Sequence, residues 1–92
     1  MKIKIAGMPY KVKQVDVIDE ESEGITRGLI LYTEGKILIK RKAKNKAETL
    51  MHEIIHGVLV EIGRNDLTED ETFVQSMANA LMNTELDKVK KI

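Results

Sequence analysis

Ninety-two residues, 42% of them apolar and 33% charged, are enough for one small globular domain and too few for two. Fifteen basic and fifteen acidic side chains cancel, so no electrostatic excess points to nucleic acid or to an anionic membrane surface. The lack of cysteine excludes a disulfide framework and any thiolate metal site, which leaves His, Asp and Glu as metal ligands.

The first half of the chain reads as sheet. Lys2, Ile3, Lys4 and Ile5 alternate with the period of a half-buried strand, and they form neither a signal peptide nor a membrane span, so a cytoplasmic protein is the default. Gly7 and Pro9 mark a turn, and residues 10–17 form the return strand. Its apolar phase slips between Val12 and Val15, which predicts a bulge near Lys13 and Gln14. The acidic stretch 19–23 reads as a solvated loop, since it lacks the spacing of a calcium-binding EF-hand. Residues 24–32 and Lys36–Lys40 are a third and a fourth strand, joined by a short Gly35-containing hairpin connection, with Ile37 and Ile39 facing the core. The basic run at 41–46 has no aromatic interleaving and reads as a solvated connection, so no nucleic-acid partner is expected.

The second half reads as two helices. The first spans about 46–62, with Asn45 as N-cap, Glu48 placed for a capping box, and Gly63 at the C-terminal end. Leu50, Met51, Ile54, Ile55, Val58 and Ile62 give it a broad apolar stripe. The second spans about 69–89, with Phe73, Val74, Met77, Ala78 and Leu81 as its apolar face. The fold class this predicts is α+β, a small antiparallel sheet of about four strands followed by two helices, in one domain over residues 1–92.

Within the first helix, His52-Glu53-Ile54-Ile55-His56 reads H-E-x-x-H, the pattern of a helix-borne zinc site with a built-in general base. At about 100° per residue the two histidines fall roughly 40° apart on one face, close enough to share an ion. Glu53 points elsewhere on the helix, placed to reach a water on the metal rather than the metal. The bland alternative is a pair of partly exposed helix histidines beside a surface glutamate. A catalytic zinc site needs a third protein ligand, and with no third histidine it must be a carboxylate. Glu71 continues the apolar stripe of the second helix and would point toward the first. Asp70 borders the same face with a shorter arm, Glu69 is rotated away, and Glu61 lies on the flank opposite the histidines. Glu71 has a competing use, because with Thr68 as N-cap it stands at the third helical position of a capping box. The residues alone leave both uses open.

The stretch Thr49-Leu50-Met51-His52-Glu53-Ile54-Ile55-His56-Gly57-Val58-Leu59, followed by Glu71-x-x-Val74-x-x-x-Ala78-Asn79-x-Leu81, resembles the ImmA/IrrE-type metallopeptidases. The likeness is greatest to the very short versions encoded by phages and integrated elements of Gram-positive bacteria. The resemblance implies a minimal zincin plan, a small sheet followed by an active-site helix and a glutamate helix. It implies Zn²⁺ held by His52, His56 and Glu71, with Glu53 as the catalytic carboxylate, and hydrolysis of a peptide bond in a protein substrate such as a repressor. In the zincin plan the strand before the active helix, here Lys36–Lys40, is the edge that pairs with an extended peptide. The chain departs from the pattern in a short separation between His56 and Glu71, which demands a tight turn over residues 64–67, and in Met82, where the short relatives tend to carry tyrosine. Tyr32, Tyr10 and Arg64 are the candidate oxyanion donors. Other readings of the sequence are a zinc-binding interaction module without activity and a metal-free α+β interaction domain.

Overall fold

The computed structural model describes residues 1–18 and 26–92. The acidic stretch 19–23, and the first residues of the strand expected over 24–32, lie outside the described residues. Four strands, β1 (Lys2–Ile5), β2 (Met8–Val15), β3 (Gly28–Leu31) and β4 (Lys36–Lys40), are followed by α1 (Lys46–Glu61), the single turn α2 (Asn65–Thr68) and α3 (Glu71–Met82). A 3-10 helix at Leu86–Lys91 closes the chain.

The fold is α+β, but the sheet is mixed rather than antiparallel, in the order β1-β2-β4-β3. The β1–β2 and β3–β4 pairs are antiparallel and β2–β4 is parallel. Burial explains the order. Ile37 and Ile39 make β4 the most deeply buried strand, so it takes a central slot, while β3 lands one place further out. Among the described residues β3 therefore pairs with β4 alone, and Lys36–Lys40 is an interior strand rather than the substrate-pairing edge. The first hairpin turns at Ala6 and Gly7, both at positive φ (49° and 82°). That is the two-residue geometry whose twist suits a hairpin.

The bulge expected in β2 is absent, because Lys11 to Val15 pair one-to-one with Lys36 to Lys40. The slip of apolar phase has a simpler cause. Tyr10 and Val12 face the helices, and Val15 lies on the other face of the sheet, where it is half-buried.

The broad stripe of α1 is broad because two layers pack on it. Leu50, Ile54 and Val58 meet the sheet core of Ile5, Tyr10, Ile30, Ile37 and Ile39. Ile55 and Leu59, with Met51 beside them, meet Val74, Ala78 and Phe73 of α3. Sheet, α1 and α3 are thus three layers with α1 in the middle. The second helix ends well short of residue 89. Asn83 Nδ2 bonds the Asn79 carbonyl and the Thr84 hydroxyl bonds that of Ala80, closing off the last turn. Among the described residues no helix is long and apolar enough to cross a membrane.

Gly57 sets how closely α1 approaches the sheet. A Cβ there would lie 3.0 Å from Ile5 Cδ1 and 3.1 Å from Ile30 Cδ1. Gly57→Val is therefore expected to destabilise the domain by about 1–3 kcal/mol through overpacking. A lowered urea midpoint checks this, and an unchanged midpoint would show that the layers can part.

Candidate metal centre

The helix ends decide which side chains are free for chemistry. Asn45 precedes α1 in a left-handed conformation and its side chain caps nothing, so the expected capping box with Glu48 does not form. Instead Glu48 Oε1 accepts a hydrogen bond from Gln75 Nε2 at 2.7 Å, linking α1 to α3. At α3 the N-cap is Asp70 rather than Thr68, and its carboxylate accepts the Phe73 backbone N–H at 3.0 Å. Glu71 is thereby the first residue of the helix and takes no part in capping. Of the two uses of Glu71 left open by the sequence, the cap falls to the adjacent Asp70 instead. The short connection from His56 to Glu71 turns through α2, which ends at Thr68.

Among the described residues, His52, His56 and Glu71 form a group able to hold a metal ion, with one ligand atom from each within 4.8 Å of the others. His52 Nε2 lies 3.0 Å from Glu71 Oε2, His56 Nε2 lies 3.2 Å from Glu71 Oε1, and the two Nε2 atoms are 3.2 Å apart. Zinc–nitrogen bonds of about 2.0–2.1 Å at tetrahedral angles set ligand atoms roughly 3.3 Å apart, so the cluster has the span of such a site. Asp70 is occupied as a cap. Glu61 lies beside Tyr10, away from the cluster.

Both outer ring nitrogens have partners, and the partner of His52 sets its tautomer. The Glu48 carboxylate, when ionised, only accepts, so the Gln75 amide presents its NH₂ there and to Asn79 Oδ1. That leaves Gln75 Oε1, which only accepts, facing His52 Nδ1 at 2.8 Å. His52 must then donate from Nδ1 and carry its lone pair on Nε2, inside the cluster. His56 Nδ1 is held by the Thr68 hydroxyl at 2.7 Å. Gln75 and this use of Thr68 escaped the sequence reading, although a signal existed. Gln75 is one helical turn after Glu71, so it shares the face of α3 that carries the third ligand.

Glu53 is not in the ligand group. It is 7% exposed, and it lies under β3, where a Cβ on Gly28 would fall 3.3 Å from both its Cγ and Oε2. Burial pushes its carboxyl up to about 7, with Glu71 adding to the shift and His52 opposing it. Burial also holds His56 below the ordinary imidazole range, against the pull of Glu71. A cleft of about 500 Å³ opens over the cluster and is lined by Thr26, Gly28, Leu29, Tyr32, Glu53 and Glu71 with both histidines. A polar recess of about 250 Å³ between Arg27, Asn45, Glu48 and Gln75 continues it past Gly28 and Glu53.

Comparison with family models, with curated proteins and with solved structures returns no match for this chain.

Two outcomes follow from the geometry. Gln75→Leu is expected to weaken metal binding about 10–100-fold by releasing His52 from its acceptor, as read by competition with a chelating dye. In the metal-free protein, a carboxyl raised by folding stabilises the fold at pH below its unfolded value of 4.5, and that contribution is lost as pH rises through about 7. Glu53→Gln should therefore match wild type in stability near pH 4. Above pH 8 it should be the more stable of the two, by roughly 3 kcal/mol at most. Denaturant titrations at the two pH values measure the difference, from which the opposite-signed contribution of His56 cancels.

Proposed function

We propose that the chain is a zinc-dependent metalloendopeptidase of minimal zincin type, similar to the ImmA/IrrE-type enzymes, which hydrolyses a peptide bond in a protein substrate such as a repressor. The observation that carries this reading is the pairing of a His52–His56–Glu71 ligand group with a separate, buried carboxylate, Glu53, on the same helix and the same cleft. A structural histidine pair needs no such carboxylate. Two imidazoles and one carboxylate suit zinc, and three protein ligands leave a position open.

Zinc, when bound, supplies a water of lowered pKa and polarises the scissile carbonyl. The chain supplies the rest. Glu53, raised toward neutrality in its buried site, takes the water proton as the water oxygen bonds to the carbonyl carbon and the carbonyl π pair moves to its oxygen. As that pair returns, the C–N bond breaks and its electrons go to nitrogen, which receives the proton held by Glu53. His52 and His56 are oriented through Gln75 and Thr68. The edge of β3, beside Glu53 and the cluster, is the place for an extended substrate segment to add as a strand.

Glu53→Gln is expected to retain about one zinc per chain and to lose cleavage, whereas His56→Ala loses both, as read by metal analysis and a peptidase assay on repressor proteins. Undiminished cleavage by the Glu53→Gln protein would overturn the reading.

A further inference from the structure

Hydrolysis of an amide places negative charge on the carbonyl oxygen, and a positioned hydrogen-bond donor on the far side of the substrate from the base lowers that barrier. Three donors were candidates from the sequence, and the structure separates them. Tyr10 is buried in the sheet core, next to Glu61. Arg64 is exposed and bound to Asp66 by hydrogen bonds of 3.0 and 2.9 Å. Tyr32 alone of the three lines the metal cleft, together with Glu53, both histidines and Glu71.

Its place follows from the register between β3 and α1. Two residues along a strand advance about 6.6 Å and four along a helix about 6 Å, so strand and helix keep step. Gly28 lies against Thr49 and Glu53, and Ile30 lies against Gly57. Tyr32 is the next residue of that strand face, beyond the last pair of β3 and beside Thr68 of α2. The base and the phenol thus stand at opposite ends of one strand face, with the ligand group between them.

We propose that Tyr32 is a catalytic residue of this site, whose phenolic O–H donates a hydrogen bond to the scissile carbonyl oxygen as that oxygen takes up charge. This rests on the peptidase reading above. The phenol is 39% exposed, so substrate can reach it. Partial burial first, and then the charges of Glu53 and Glu71, raise its pKa above the ordinary value against the influence of Thr68. It therefore keeps its proton at neutral pH and has an O–H to donate.

The test compares wild type with Tyr32→Phe, both loaded with zinc, on three readouts. These are zinc affinity by chelator competition, kcat and KM on a fluorogenic peptide library, and the Kd of a phosphinic peptide whose tetrahedral P–O⁻ group mimics the attacked carbonyl. We expect Tyr32→Phe to keep zinc affinity and KM within about twofold, to lose kcat roughly 100–1000-fold, and to bind the phosphinic peptide at least about tenfold more weakly. Unchanged kcat and phosphinic affinity would overturn the role of Tyr32 and leave the peptidase reading standing. Loss of zinc by Tyr32→Phe would make the residue structural and overturn it as well. If wild type cleaves no library member and binds the phosphinic peptide no better than Tyr32→Phe, both readings fall.

Discussion

Two imidazole Nε2 atoms, 3.2 Å apart and facing a carboxylate, are the constraint on which the rest of this small structure depends. A neutral pair in that geometry repels unless a proton or a cation lies between, so the fold has to hold it. It does so from both sides of α1. The sheet fixes the helix on one flank and α3 fixes it on another, and the histidines project from the strip between. The outer nitrogens are then tied to α3 through Gln75 and to α2 through Thr68. Each of α1, α2 and α3 thus contributes to the cluster or to its support.

The same arrangement accounts for Glu53. It lies on the sheet side of the histidine strip, where it is covered by β3, and Gly28 is the residue that leaves room for it. Two carboxylates in one cleft are thereby given different characters. Glu71, with its side chain 67% exposed, reaches the histidines from the solvent side, while Glu53 is desolvated and shifted toward neutrality. Environment assigns the roles, as it does for other paired carboxylates in active sites.

What could be read from sequence follows the range of the interactions. The extent of α1 and the shared face of His52 and His56 were legible because helical periodicity is local, and a residue's face follows from its spacing, whereas Glu71, on another helix, kept two possible uses. The sheet order was not legible. A β3–β4 hairpin is compatible with either strand lying next to β2, and the choice is made by burial of Ile37 and Ile39 against a helix that comes later in the chain. The capping errors are of another kind. Thr68 and Asp70 are both good N-caps, and the one-turn α2, which no periodicity can announce, takes Thr68 out of the contest. Glu48 left its expected cap for a partner 27 residues away, a contact beyond any local rule.

The connection between His56 and Glu71 gives the ligand group a mechanical meaning as well. The three candidate ligands come from two helices joined through the single turn α2, in a chain that has no cysteine and only a modest core. An ion held there would be a cross-link, closing a loop between His56 and Glu71, fifteen positions apart, in the way a disulfide does for small secreted domains. Because the unfolded chain offers no preformed site, binding free energy becomes folding free energy. An ion held there would stabilise the packing of α3 on α1.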